Sequence, residues 1–346
     1  MSRETILLTG GAGFIGHNVL DWFMHNSDFN IVCLDRLDFS GNQNRIHQAL
    51  LGHKFGARIK LVYHDLRAEL NDYTKKSIGQ VDYILHLAAQ SHVDRSIEFP
   101  LEFVADNVVG TANILDYARK LNDLKMFVYF STDEVFGPAP QGINYPEYAR
   151  YNSTNPYSAS KAAGEELTVA FHNTYNLPAI ITHTMNVFGR RQHPEKFIPS
   201  TIRKIVYGEE VTIHSNALKT VPGSRYYIHT DDVSRALYFL LTHNRESILW
   251  PTTEDEYDTS KIQKYNFVGL EETNNLELAQ MIADHLRLPL KYRLIDFHSA
   301  RPGHDLRYAL SGDKMRILGC PPLLSISQGI GDVVSWYLAN EDWLFE

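Results

Sequence analysis

Short apolar runs recur along the first half of the chain, separated by stretches long enough for a helix and its loops. They are Ile6-Leu7-Leu8, Ile31-Val32-Cys33-Leu34, Lys60-Leu61-Val62-Tyr63, Tyr83-Ile84-Leu85-His86-Leu87 and Phe127-Val128-Tyr129-Phe130. Runs without polar alternation fit strands buried on both faces, and strands alternating with helical segments predict a doubly wound parallel sheet. Ile180-Ile181-Thr182-His183-Thr184 predicts a sixth strand. Beyond about residue 190 the rhythm breaks into loops with scattered helices, which predicts a smaller mixed α/β substrate lobe. The reading is a first domain over 1–189 and a lobe over 190–346, with segments near 225–245 and 298–310 returning to the first domain. Two stretches read as insertions: a polar loop from His214 to Ser224, and an acidic surface excursion from Trp250 to Lys264.

Between the first strand and its helix lies Thr9-Gly10-Gly11-Ala12-Gly13-Phe14-Ile15-Gly16. Gly10 permits the tight turn, Gly13 lets a pyrophosphate approach the backbone, and Gly16 lets the helix pack closely, with phosphate at the helix N-terminus. In that context the turn predicts a Rossmann-type dinucleotide site. Asp35 ends the second strand, where its carboxylate can accept bonds from the adenosine ribose and repel a 2′-phosphate. NAD is therefore expected over NADP, although the neighbouring Arg36 could receive that phosphate. Asp65 and Leu66, after the third strand, are expected beside the adenine, with a simple helix cap as the other reading of Asp65.

After the fifth strand come Ser131-Thr132-Asp133-Glu134, and later Tyr157-Ser158-Ala159-Ser160-Lys161. An unperturbed tyrosine has a pKa of about 10 and is almost wholly protonated near neutrality. Lys161, one helical turn on, would favour the phenolate, so that Tyr157 can take an alcohol proton as hydride leaves for a nicotinamide. Thr132, Asp133 and Glu134 stand at the C-terminal end of a strand, where open α/β sheets hold ligands. Two adjacent carboxylates can divide into a base and an acid. Glu134 is the expected base, removing a C–H proton next to a new ketone, and Asp133 the acid for a departing hydroxyl.

These motifs, with Leu87 to Ser96, Gln192-His193-Pro194-Glu195-Lys196, Arg225 with Asp232, and Arg301 to Tyr308, resemble the extended short-chain dehydrogenase/reductase superfamily. Within it the chain resembles the nucleoside-diphosphate-glucose 4,6-dehydratases, most closely those acting on dTDP-glucose, over nearly its whole length. The resemblance implies an NAD-dependent lyase that oxidises C4, eliminates water across C5 and C6, and returns hydride to C6, in 6-deoxysugar biosynthesis. It implies cofactor contacts from Phe14, Ile15 and Ala88, substrate contacts from Ser91, Asn186, Lys196, Arg225, Arg301 and His304, and a homodimer formed through a helix bundle. For His92 and His304 a structural histidine is an equal reading. The chain departs from the family at Asp38-Phe39, at Met185 and Val187 around Asn186, in a shorter stretch between Gly137 and Tyr157, and in the 214–224 loop. Those changes leave the nucleotide base, dTDP or UDP, and the hexose open. Alternatives on the same scaffold are a 4-epimerase, a decarboxylase and an N-acetylhexosamine-nucleotide dehydratase; a non-catalytic NAD sensor is the remote one.

Composition narrows the remaining classes. The 346 residues exceed one typical domain, and a net charge of -8 argues against a nucleic-acid partner. Two cysteines without a CxxC spacing suggest a reducing, cytoplasmic setting, and the 16 histidines form no metal-like spacing, so no metal is expected. No apolar stretch reaches the ~20 residues of a membrane span, so no membrane association is expected.

Overall fold

The computed structural model describes residues 3–38, 40–50, 58–249, 262–297 and 306–345. The chain divides into two compact units. The first comprises Met1–Val135, Asn155–His183 and Ser234–Tyr265, and the second Phe136–Thr154, Thr184–Val233 and Asn266–Glu346.

The first unit is built on β1 (Thr5–Thr9), α1 (Phe14–Asn26), β2 (Asn30–Asp35), α2 (Gln43–Leu50), β3 (Ile59–Tyr63), α3 (Asp72–Ile78) and β4 (Tyr83–His86). There follow α4 (Val93–Glu98), α5 (Pro100–Val104), α6 (Gly110–Ala118), β5 (Met126–Thr132), α7 (Pro156–Tyr175) and β6 (Ala179–Thr184). The sheet runs β6-β5-β4-β1-β2-β3, with Gln263–Phe267 as a seventh strand beyond β6. Pairings β1–β2, β1–β4, β2–β3 and β4–β5 are parallel. Strand order therefore reverses between β1 and β4, the switch point at which such sheets hold ligands. Every residue of β4, β5 and β6 is buried, as their uninterrupted apolar character predicts. Leu7, Ile84, Ile114, Phe127 and Ile181 form the centre of the core.

The seventh strand corrects the reading of 250–264 as a surface excursion at its last three residues. Residues 250–261 lie outside the described residues, but Ile262, Gln263 and Lys264 are buried. Lys264 can be buried because its ammonium lies 3.5 Å from the Glu165 carboxylate.

In the second unit the helices Phe197–Val206, Asn275–Leu286 and Ile326–Ala339 pack Ile202, Ile282, Ile330 and Val334 around Phe188. Segment 136–154 belongs here: Ala139 and Tyr145 donate backbone N–H groups to the carbonyls of Arg307 and Ala309, and the Arg307 guanidinium donates to the carbonyls of Pro140 and Ile143. Residues 306–310 thus group with this unit rather than with the sheet, and 298–305 lie outside the described residues. The 214–224 loop contracts to a turn in which Asn216 Oδ1 accepts from the N–H groups of Thr220 and Val221.

Candidate active site

The C-terminal ends of β1, β2, β3 and β4 enclose a groove lined by Gly10, Gly13, Asp35, Asp65, Leu66 and Ala88. Its floor is a backbone turn with no room for side chains. Gly10 has φ 73°, and a Cβ on Gly16 would come 2.1 Å from the Gly10 carbonyl oxygen. The N-cap of α1, Gly13, supplies no side-chain cap, and the first turn carries no acidic residue. The free N–H groups and the helix dipole together suit a diphosphate. Asp35 is fixed at the end of β2 by N–H groups of Ala12 and Leu37, each 2.9 Å from a different carboxylate oxygen. Burial raises its pKa above the usual carboxylate range against those two hydrogen bonds.

Arg36 is occupied. Its Nε donates to Asp38 at 2.8 Å, its Nη2 donates to Asp106 at 2.8 Å, and Asp65 lies 3.6 Å away. With Asp35, four aspartates face two arginines, Arg36 and Arg67, along this groove. A second negative phosphate on the ribose would meet that surplus of acid, whereas ribose hydroxyls meet acceptors. Asp65 is bound by Arg67, whose hydrogen bonds hold the carboxyl down at about 2. The residues therefore fit NAD.

At the end of β5, Ser131, Thr132 and Asp133 are buried and Glu134 is half-buried on the following turn. The Thr132 hydroxyl donates to Asp133 Oδ1 at 3.0 Å and accepts from the Glu134 N–H at 3.4 Å. Asn155 performs two tasks. Its Oδ1 caps α7 by accepting from Ser158 N–H at 2.9 Å, and its Nδ2 donates to Glu134 Oε2 at 3.2 Å. With Pro156 opening the helix, this box sets the angle of the first turn and so the place of Tyr157.

Tyr157 packs edge-on against Phe103, with ring centroids 6.3 Å apart. Burial raises its pKa well above that of an ordinary phenol; the charges of Glu134 and Asp133 add to this, and a hydrogen bond with Thr132 opposes it. Lys161 is buried too. Its Nζ donates to the Phe130 carbonyl at 2.8 Å and lies 4.3 Å from the centre of the Tyr129 ring. Burial pushes the amine down to about 7, with the charge of Glu165 pulling the other way.

Three groups here escaped the sequence reading. Asn107 sits in a π-helical turn, Ala105–Val109, and joins the 88–91 loop to α7: it accepts from Gln90 N–H and donates to the Gln90 carbonyl and to Ser160 Oγ. Glu165 is fully buried between Ser131, His183 and Lys264. Asn155 had a signal, since Asn-Pro with a serine three positions on marks a capped helix start. Of the expected substrate residues, Ser91 is exposed in the sheet unit. In the second unit Asn186 is exposed, Lys196 precedes helix Phe197–Val206, and Arg225 donates to the Leu306 carbonyl beneath the Tyr308 ring. Arg301, His304 and Phe39 lie outside the described residues. Among the described residues no cluster of three His, Cys, Asp or Glu could hold a metal, and no helix is long and apolar enough to cross a membrane.

Comparison with known proteins agrees with this geometry. A profile of the NAD dependent epimerase/dehydratase family matches residues 6–249. The dTDP-glucose 4,6-dehydratase of Shigella flexneri is 34% identical over 98% of this chain and 94% of its own length. A low-salt glycan biosynthesis protein of Haloferax volcanii is 35% identical, covering 97% of this chain and 99% of that one. The crystal structure of a dTDP-glucose 4,6-dehydratase from Streptomyces venezuelae with NAD bound superposes with a TM-score of 0.83, at 31% identity over 99% of both chains.

Proposed function

Because the chain belongs to the NAD dependent epimerase/dehydratase family, we propose that it is an NAD-dependent nucleoside-diphosphate-hexose 4,6-dehydratase, converting dTDP- or UDP-glucose to the 4-keto-6-deoxy sugar nucleotide. The observation that carries this reading is the adjacent pair Asp133 and Glu134, joined to Thr132 and acting electrostatically on Tyr157. Simple alcohol oxidation has no use for two carboxylates beside the tyrosine.

Gly10, Gly13, Phe14, Ile15 and Gly16 hold the cofactor diphosphate, Asp35 the ribose, and Asp65, Leu66 and Ala88 the adenosine surroundings. Bound NAD supplies a reversible hydride acceptor, so the C4 hydrogen can leave and later be delivered to C6. Tyr157 accepts the O4 proton as a phenolate; burial and the charges of Glu134 and Asp133 oppose that state in the unliganded chain, and a protonated Lys161 is proposed to offset them. The C4 ketone acidifies C5–H, and Glu134, held by Asn155, takes that proton. Asp133 donates a proton to the C6 hydroxyl, which leaves as water while the C5–C6 double bond forms. Glu134, after exchange with solvent, delivers a proton to C5 as hydride reaches C6; the product keeps its C4 ketone, so the proton that Tyr157 took from O4 makes good the one Asp133 gave to the departing water. Thr132 keeps Tyr157 and Asp133 in one hydrogen-bonded group. Ser91, Asn186, Lys196, Arg225, Arg301 and His304 are proposed substrate contacts, the cations meeting diphosphate charge.

Exposed Ile97, Leu101, Val104 and Val109 along α4 to α6 support a homodimer. Two free, buried cysteines are compatible with a cytoplasmic setting. The test is a mass-spectrometric screen of dTDP-, UDP-, GDP- and CDP-hexoses. Loss of one water from a glucose nucleotide supports the reading, and turnover to an isomer of unchanged mass rejects it.

A further inference from the structure

Behind the tyrosine and lysine lies a buried charged cluster that the proposed cycle does not use. Glu165 is one helical turn beyond Lys161 on α7 and has no exposed surface. Ser131 Oγ, on β5, donates to its Oε1; His183 Nε2, on β6, is 3.0 Å from its Oε2; and Lys264 Nζ, on the seventh strand, is 3.5 Å from the same oxygen. A carboxylate without exposure stays charged only where donors and cations replace its water. Here burial would raise its pKa, yet His183, Lys264 and Ser131 hold it at about 2. Glu165 therefore remains a carboxylate inside the sheet unit, on the same helix as Tyr157 and Lys161.

We propose that Glu165 is a positioning residue whose buried charge, one helical turn from Lys161, raises the protonated fraction of that amine near neutrality. The charge of Glu165 pulls the Lys161 amine up against its burial, while the groups shown to touch Lys161 are neutral: the Phe130 carbonyl at 2.8 Å and the face of Tyr129, whose hydroxyl donates back to the Lys161 carbonyl. The other titratable groups facing the pair are Tyr129 on β5, Tyr157 on α7, His86 on β4, His183 on β6 and Lys264 on the seventh strand. His86 is tied to Thr9 and Thr111, and burial keeps it neutral, at about 3. Ser131 extends the effect to the catalytic turn, since it fixes the strand residue before Thr132 through the same carboxylate.

The inference rests on the proposed role of Lys161 but can be tested without a substrate. The NAD-loaded protein labelled at lysine 13Cε is titrated by NMR, with the Lys161 signal assigned from Lys161→Met. Glu165→Gln should lower the Lys161 midpoint by one pH unit or more, and Glu165→Asp should restore it to within a few tenths of a unit. Lys264→Met, which strips a cation from Glu165, should move the midpoint upward and serves as the test if Glu165→Gln does not fold. An unchanged midpoint in folded Glu165→Gln, or in Lys264→Met, overturns the proposal. In the pH profile of kcat on the glucose nucleotide, the alkaline limb should move with the midpoint, whereas a merely structural loss would lower kcat at every pH. A shifted midpoint in a protein that dehydrates no sugar nucleotide would sustain the role of Glu165 and reject the dehydratase reading.

Discussion

Replacing Lys161 by methionine should abolish turnover and yet stabilise the protein on the acid side of neutrality. In the folded chain burial moves this amine from 10.5 down to about 7. At 1.36 kcal/mol per unit, the protonated form is disfavoured in the fold by about 5 kcal/mol. Methionine removes that cost but leaves the Phe130 carbonyl without its donor, a loss of about 1–3 kcal/mol for a buried acceptor. A net gain of about 2–4 kcal/mol remains below pH 7. Between about pH 7 and 10.5 the unfolded chain binds the proton and the folded chain does not, so wild-type stability rises with pH across that window. The advantage of the variant should therefore be largest at about pH 6 and be gone by about pH 9. Urea unfolding of both proteins at those two values measures it. A variant less stable than wild type at the lower pH, or a difference independent of pH, would refute a lysine whose charge is strained by burial.

Three further outcomes follow from the same contacts. Glu134→Gln should oxidise C4 and stop, accumulating reduced-cofactor absorbance in a single turnover, while Tyr157→Phe should show little such accumulation; equal early failure of both would undo the division of labour. Replacing both Asp38 and Asp106 by asparagine should free Arg36 and strengthen NADP binding at least tenfold by calorimetry, and unchanged selectivity would show that Asp35 alone decides it. Gly164→Ala places a Cβ 2.1 Å from the Tyr129 hydroxyl, so despite alanine's better helix propensity it should lose about 1–3 kcal/mol in chemical denaturation, and a stabilised variant would contradict the close approach of α7 to β5.

The part of the fold legible in the sequence is the part governed by local patterns. Buried parallel strands reveal themselves as apolar runs, and all six expected strands are present, each extended or trimmed by one to three residues. The glycine turn was readable because packing against Gly10 and Ala88 excludes side chains at fixed spacings. The seventh strand was not, because Gln-Lys-Tyr-Asn-Phe has no apolar run and its brief alternation predicts a half-exposed strand, whereas every residue is buried; Lys264 is held there by Glu165, a partner far away in sequence. Asn107 and His183 were hidden for the same reason, since each acts through a residue on another element. Segment 136–154 reads as part of the first domain by position, but its backbone bonds go to residues 307–311, and hydrogen-bond partners rather than order along the chain decide the unit.

The account stands on the removal and return of a proton at C5 by the carboxylates at the end of β5. The direct measurement is the NMR spectrum of the product formed from the accepted glucose nucleotide in deuterium oxide. The account predicts a 4-keto-6-deoxy sugar nucleotide carrying solvent deuterium at C5, with the original C4 hydrogen at C6. A product that keeps the C6 hydroxyl and has protium at C5 would contradict it.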